Sequence, residues 1–180
     1  MKKEDIFAFI KTIEPIEGRD GAIFRCAAVL VDGTFLPCVV IQEAEAIVKL
    51  AMRRFDETRG KTSTNMVMDY KSIVKNFVCG GNKVNDYDIR ELQISPYAIP
   101  IERLKEIKGE TSMSWTEFTA EMDDGKRFIF GTTYLMEFFN MPSGYTAERI
   151  TKIIPSEMGK PQFRGKEGIL RERPFFICYI

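Results

Sequence analysis

Residues 23–41 have the sequence IFRCAAVLVDGTFLPCVVI, in which two apolar runs flank Asp32-Gly33. Asp-Gly between apolar runs is typical of a β-hairpin, because a type I′ turn needs a positive φ at both central residues. The first run is apolar on both sides of the strand, so we expect it to lie inside a sheet that is covered on both faces. This segment therefore predicts a sheet-containing fold with a buried central strand.

The hairpin also predicts a register. A two-residue loop pairs Val31 with Thr34 and places Pro37 at a position where its missing N–H points away from the first strand. We therefore expect residues 34–41 to form an edge strand, at least near Pro37.

The cysteines are predicted to be buried free thiols. None of the four has a C-x-x-C partner, and each lies in an apolar stretch. The hairpin register places Cys26 opposite Val39 and Cys38 on the other face of the sheet, so these two cysteines should not form a disulfide. The remaining cysteines are Cys79 and Cys178.

A second hairpin is predicted over residues 112–132. Asp123-Asp124-Gly125 fits a three-residue loop with glycine in the left-handed conformation. Pairing Met122 with Lys126 puts the apolar residues Phe118, Ala120, Phe128 and Phe130 on one face. The same register places Glu121 opposite Arg127 on the other face, so we expect this hairpin to be half exposed.

Apolar residues at helical spacing predict further elements. We expect helices over 4–13, 43–57, 66–79, 100–109 and 146–154, a short helix or turn over 134–139, and a strand over 87–94. In the helix over 43–57 one apolar face is formed by Ala44, Ile47, Val48, Ala51, Met52 and Phe55. Because each hairpin is followed by a helical segment, the sequence suggests a duplicated ββα unit, over 23–58 and 112–140.

These elements predict an α+β fold, with a mostly antiparallel mixed sheet built from the two hairpins (23–41 and 112–132) and packed with several short amphipathic helices. The length of 180 residues suits one domain over 1–158 and an extended basic and aromatic C-terminal arm over 159–180. We expect this arm to pack on the domain or on a partner.

The composition argues against several function classes. The chain has no histidine, which excludes a Ser-His-Asp triad and a zinc-binding histidine pair and lowers the expectation of catalysis. Its 26 basic and 26 acidic residues cancel, which argues against a nucleic acid or membrane partner. The N-terminus does not fit a signal peptide and no apolar stretch is long enough to span a bilayer, so the sequence predicts a cytoplasmic protein.

The C-terminal arm and three further residues form the candidate partner-binding surface. In the arm, Arg171 and Arg173 precede Phe175 and Phe176, a combination that suits packing on the domain, a subunit or protein interface, or single-stranded nucleic acid. Trp115 either fills a groove or marks a binding surface, since tryptophan is enriched at interface centres. Met141 and Tyr145 lie in a loop that could join this surface.

The predicted function is a non-enzymatic binding or interaction protein that binds a protein partner or itself, without a cofactor or metal. The alternative is a hydrolase or nuclease that holds a divalent metal through Asp86, Asp88 and Glu91, carboxylates of the kind that such ions prefer. Solvated acidic turns explain the same residues. A small-molecule carrier is a third possibility, but the sequence does not locate its pocket.

Overall fold

The computed structural model describes residues 1–18, 21–59, 69–133, 135–157, 159 and 168–180. The α-helices are α1 (Lys3–Ile10), α2 (Ala44–Thr58), α3 (Tyr70–Ile73) and α4 (Ile101–Leu104). A π-helix (Val74–Val78) continues α3, and 3₁₀-helices cover Asp86–Asp88 and Ala147–Arg149. The strands are β1 (Ile16–Gly18), β2 (Gly21–Leu30), β3 (Phe35–Gln42), β4 (Ile89–Gln93), β5 (Thr116–Met122), β6 (Arg127–Thr132), β7 (Ile150–Pro155), β8 (Leu170–Arg171) and β9 (Phe176–Tyr179).

The strands form two mixed, mostly antiparallel sheets, which confirms the α+β class. The two predicted hairpins lie in different sheets. In the first sheet β1 and β4 pair with one side of β2, β3 pairs with its other side, and β9 runs parallel to β3. The second sheet has the order β7-β5-β6-β8, with β8 parallel to β6. The C-terminal segment therefore contributes one strand to each sheet.

The interior position of β2 is confirmed. It has partners on both sides, and both of its faces are covered. Cys26 belongs to the core beneath α1, whereas Cys38 belongs to a separate cluster with Phe138 on the other face. Both are free thiols on opposite faces, as the register predicts.

The loop of the first hairpin differs from the prediction. Leu30 N–H donates to the Thr34 carbonyl over 2.8 Å, so the loop has three residues rather than two. Gly33 has a φ of +88°, while Asp32 avoids positive φ and accepts a hydrogen bond from Thr34 N–H instead. This arrangement leaves the left-handed position to the residue without a Cβ atom. A bulge between Cys26 and Ala28 restores the predicted pairing of Cys26 with Val39.

Strand β3 is an edge only in its first half. It pairs with β9 from Val39 to Gln42, so its second half is interior. Near Pro37 no second strand pairs with it among the described residues, and the Pro37 carbonyl accepts a hydrogen bond from the Ser95 hydroxyl over 2.6 Å. The prediction of an edge near Pro37 is therefore right, but it does not extend to Ile41.

The second hairpin has the predicted loop and register. Met122 N–H donates to the Lys126 carbonyl, Gly125 has a φ of +81°, and Glu121 pairs with Arg127. Its second face is less exposed than predicted, because Glu117 is buried there beside Trp115.

The helix predicted over 146–154 is wrong. Ile150–Pro155 is strand β7, which pairs antiparallel with β5. The register shifts between Ile150 and Lys152, so Thr151 is a bulge. A bulge adds one residue to a strand, and it places Ile150 and Ile153 on one face at a spacing of three. Apolar residues three positions apart are also typical of an amphipathic helix, which explains the wrong prediction.

The two sheets repeat one arrangement of strands, which is not the predicted ββα unit. Each sheet has a hairpin, an antiparallel strand that pairs with the first hairpin strand, and a parallel strand that pairs with the second. We call β2, β3, β4 and β9 the first unit and β5, β6, β7 and β8 the second unit. Helix α2 has no counterpart: after β6, residues 135–140 contain no helix, and position 134 is outside the described residues.

The two units agree in detail. Each third strand follows a 3₁₀-helix and carries a one-residue bulge, at Arg90 in β4 and at Thr151 in β7. Val31 N–H donates to the Asp88 carbonyl over 2.9 Å, and Asp123 N–H donates to the Arg149 carbonyl over the same distance. These shared bonds show which residues correspond between the units: Val31 to Asp123, and Asp88 to Arg149.

Of the other predicted elements, α1, α2 and β4 are confirmed within a few residues, whereas α4 covers only Ile101–Leu104 of the helix predicted over 100–109. The helix over 66–79 is confirmed only as α3 and the π-helix, since residues 66–68 lie outside the described part of the chain. None of the helices that the structure describes is long and apolar enough to cross a bilayer.

Candidate functional site: an apolar groove between α2 and α3

Helices α2 and α3 meet over a small buried cluster. Ile47, Leu50 and Ile73 form its centre, and Tyr179 of β9 packs against it. This cluster holds both helices to the end of the first sheet. Asp69 begins α3 by accepting a hydrogen bond from Ser72 N–H over 2.8 Å, which lowers the pKa of that carboxyl group.

Above this cluster lies an open apolar groove of about 470 Å³. One wall is formed by α2 and the other by α3 and the π-helix. The lining residues are Ile47, Val48, Ala51, Met52, Phe55, Asp56, Tyr70, Val74 and Val78. All but Asp56 are apolar or aromatic, so the groove is suited to apolar side chains.

The walls of the groove expose large apolar groups to solvent. Five of its lining side chains are between 40% and 62% exposed: Val48, Met52, Phe55, Tyr70 and Val78. Phe55 and Tyr70 meet edge to face, with 5.3 Å between ring centroids, where the two walls come together. Contiguous apolar surface of this kind marks binding sites in soluble proteins.

Charged residues lie on both sides of the groove. On the α2 side, Lys49 forms an ion pair with Glu45 over 2.7 Å. On the opposite side Lys71 and Lys75 are exposed, and no ion pair joins either lysine to another described residue. Two lysines therefore lie along α3 and the π-helix, while Asp69 stands at the start of α3 near Lys71 and Asp56 lines the groove.

Sequence reasoning missed this groove because it placed the apolar face of α2 against the core. Ile47 and Leu50 are buried, as expected of a core-facing stripe, but Val48, Met52 and Phe55 are not. The apolar surface of α2 is wider than the core beneath it can cover. The only sign of the groove in the sequence was that the apolar surface of α2 is wider than the single stripe that a core-facing helix needs.

The predicted partner-binding residues do not come together on one surface. Trp115 is only 2% exposed: it lies beneath the Arg171 guanidinium group, 4.6 Å from its carbon to the ring centroid, and its indole N–H donates to Glu117 over 3.1 Å. Arg173 stacks on Tyr97 at 4.2 Å and donates to the Asn140 side chain.

The remaining predicted residues are distributed over the two units. Met141 packs against the core of the second sheet, and Tyr145 donates its hydroxyl proton to Asp124 over 2.6 Å at the tip of the second hairpin. Phe175 packs against Phe138 between the two sheets, and Phe176 is partly exposed on β9. The role of these residues in binding a partner stays a prediction.

The acidic residues of the alternative hypothesis act locally. Asp86 and Asp88 accept hydrogen bonds from Tyr87 N–H and Asn85, and Glu91 accepts one from Gln93. Among the residues that the structure describes, no three His, Cys, Asp or Glu side chains are grouped closely enough to hold a metal ion.

Burial favours the uncharged form of three cysteines and of one arginine. Burial raises the pKa of Cys26 to about 12 and the pKa values of Cys38 and Cys178 to about 11, so these thiols stay protonated at neutral pH. Between the sheets, burial lowers the pKa of Arg25 to about 10, and that guanidinium group donates to the Glu137 carbonyl over 3.3 Å.

Comparison with known proteins adds no assignment. No protein family model matches the chain, and neither a curated protein nor a solved structure is detectably similar to it.

Proposed function

We propose that this is a non-enzymatic binding protein that holds an amphipathic helix of a partner protein in the groove between α2 and α3. The observation that carries the proposal is the set of five large apolar side chains left exposed along the groove walls. Recognition of this kind places the apolar face of a helix in a groove through anchors spaced i, i+3, i+4 and i+7.

The dimensions suit such a helix. The lining residues of α2 run from Ile47 to Asp56, which at a rise of 1.5 Å per residue gives about 14 Å, or two to three helical turns. That length accommodates two or three anchoring side chains.

The charges suggest the chemistry of the partner. Lys71 and Lys75 favour carboxylates along the neighbouring side of the bound helix, and complementary charge contributes to both rate and selectivity of association. We therefore expect a partner helix that carries Leu or similar residues on one face and Glu or Asp beside them.

The test uses two fluorescein-labelled helical peptides with Leu at anchor spacing, one with Glu and one with Lys at the remaining positions. We expect the Glu peptide to bind more tightly in fluorescence anisotropy. Met52→Glu places a charge in the groove and should weaken binding by about tenfold, which corresponds to about 1.4 kcal/mol. Met113→Glu is the matched control, because Met113 is 87% exposed and lies outside the groove.

Charge reversal tests the selectivity separately. Lys71→Glu with Lys75→Glu should invert the preference between the two peptides while leaving the far-ultraviolet circular dichroism spectrum unchanged. Equal affinity of the wild-type protein for both peptides, or equal effects of the two methionine substitutions, would refute the proposed function.

A further inference from the structure

A second pocket lies between the first sheet and the residues that follow β6. Its volume is about 250 Å³. Strands β2, β3 and β9 contribute Ile23, Val40 and Ile177 to its lining, and the helices contribute Ile47 of α2 and Phe77 of the π-helix. We call this space the inner pocket.

Most of the lining of the inner pocket is apolar, and three aromatic rings belong to it: Phe77, Phe175 and Tyr179. Val40 is 3% exposed and Ile47 is 4% exposed, so these walls belong to the protein interior. Interior side chains normally fill the space between them, and an unfilled space forfeits their contacts. A molecule with an aromatic surface would restore these contacts, because aromatic rings attract one another in edge-to-face and offset arrangements.

Two polar side chains, Gln42 and Glu137, also line the inner pocket. Burial raises the pKa of the Glu137 carboxyl group, although backbone N–H groups of Met136 and Glu137 and the charge of Arg25 counteract part of this effect. The Oε2 atom of this carboxyl group is buried and has no hydrogen-bond partner among the described residues. A hydroxyl group suits the carboxyl group in both protonation states, because it can donate to the ionised form and accept from the protonated form.

Charged groups of both signs lie near the inner pocket. The Arg25 guanidinium group donates to the Glu137 carbonyl over 3.3 Å, and the charges of Glu137 and Glu14 both act on it. On the side of β9, the Lys83 ammonium group lies 3.5 Å from the centroid of the Tyr179 ring. Because two cations stand near two carboxyl groups, the surroundings do not select a ligand of either sign. The apolar walls favour an uncharged ligand, since transfer of an ion from water into such a site is costly.

We propose that the inner pocket binds a small uncharged aromatic molecule whose ring packs among the three aromatic side chains and whose hydroxyl group bonds to Glu137. A cavity of about 150 Å³ holds a benzene ring, so the inner pocket has room for a molecule of two rings. This inference goes beyond the groove: among the described lining residues the two sites share only Ile47. It gives the chain a small-molecule ligand in addition to a partner helix.

The test uses 2-naphthol, whose own fluorescence reports its binding, and naphthalene, which lacks the hydroxyl group. We expect one 2-naphthol molecule to bind per chain in a saturable manner and naphthalene to bind about tenfold more weakly, as the loss of one hydrogen bond predicts. Glu137→Leu should weaken the binding of 2-naphthol by a similar factor and leave that of naphthalene within twofold. The charged analogue 2-naphthoate should bind the wild type at least about tenfold more weakly than 2-naphthol.

Two further variants locate the binding site. Leu135 lines the inner pocket, so Leu135→Trp fills the space with a large ring and should abolish the binding of both molecules. Leu36→Trp is the matched control, because Leu36 is also partly buried but packs against the other face of the first sheet. Glu137→Leu covers the case in which Leu135→Trp does not fold.

Met52→Glu separates this inference from the groove proposal, since it changes the groove and should leave the affinity for 2-naphthol within twofold. The inference is overturned if the wild type does not bind 2-naphthol saturably, or if naphthalene or 2-naphthoate binds as tightly as 2-naphthol. It is also overturned if folded Leu135→Trp binds like the wild type, or if Glu137→Leu weakens the binding of 2-naphthol and naphthalene alike. Equal losses from Met52→Glu and Leu135→Trp would overturn it as well, because the ligand would then occupy the groove.

Discussion

The substitution Gly131→Ala tests how Trp115 is packed in the second sheet. A Cβ atom at residue 131 would lie 2.4 Å from Cζ2 and 2.7 Å from Cη2 of the Trp115 ring. Carbon atoms in contact are normally about 3.5–4.0 Å apart, so the ring or the strand would have to move by about 1 Å. The indole cannot move freely, because Arg171 stacks on its face and its N–H donates to Glu117.

Overpacking of this kind costs about 1–3 kcal/mol, and alanine in place of glycine in a strand returns part of that cost. We expect a net loss of about 2 kcal/mol in the free energy of unfolding, or a melting temperature lower by about 5 °C. Trp115 is the only tryptophan, so its fluorescence reports this site during urea unfolding.

Gly81→Ala is the matched control. No atom lies within 4 Å of a Cβ at residue 81, and its φ is not positive, so the change should stay within about 0.5 kcal/mol. If Gly131→Ala proves as stable as Gly81→Ala, Trp115 does not occupy the space over Gly131 and the described packing is wrong.

Three further predictions concern the loops and the reactive side chains. Gly33→Ala and Gly125→Ala should each lower the free energy of unfolding in urea by about 1–2 kcal/mol, because both glycines have a positive φ and open space around Cβ. A difference of more than about 1 kcal/mol between the two losses would contradict the equivalence of the two loops. Cys79 is exposed and the other three thiols are buried, so Ellman's reagent should modify one thiol quickly in the native chain and none in Cys79→Ser; rapid modification of any thiol in Cys79→Ser would contradict the burial. Burial lowers the pKa of Lys83 from 10.5 to about 8, so pulsed acetylation of this amine should reach half its maximal rate near pH 8; a midpoint above pH 10 would show that the amine is solvated. Since the unfolded chain binds more protons than the folded chain between these two pH values, Lys83 should make stability rise with pH across this window.

The hairpins could be predicted from the sequence because their signals are local. The loop length of the second hairpin, at Gly125, was predicted correctly, because the pairing of Met122 with Lys126 and the flanking aromatic residues agreed on one register. The loop length of the first hairpin, at Gly33, was predicted wrongly, because Asp-Gly occurs in both two-residue and three-residue loops. The bulge near Pro37 shifts the register by one residue, so Cys26 pairs with Val39 as the shorter loop would have predicted.

The third strand of each unit shows why the rest was harder. In β7, a bulge at Thr151 gives Ile150 and Ile153 the spacing of a helix, and the bulge depends on pairing with distant Met122. The parallel strands β8 and β9 likewise depend on partners far away in the chain. The repeated arrangement is therefore visible in the strand pairings and hydrogen bonds and not in residue identity.

The candidate site could not be predicted because exposure depends on packing. The sequence shows that Met52 and Phe55 lie on the apolar side of α2, but not that Ile47 and Leu50 alone suffice to cover the core. The burial of Trp115 beneath Arg171 has the same origin, since the two residues are brought together only when β8 joins β6.

The most direct test of the groove is a nuclear magnetic resonance titration of the chain labelled with ¹³C at the methionine methyl groups. Met52 lines the groove and Met113 lies outside it, so one spectrum contains both the site and its control. On addition of the helical Glu peptide, we predict that the Met52 methyl signal shifts in a saturable manner while the Met113 signal stays in place. A saturable shift of Met113 without a shift of Met52 would contradict the central claim that this protein binds its partner between α2 and α3.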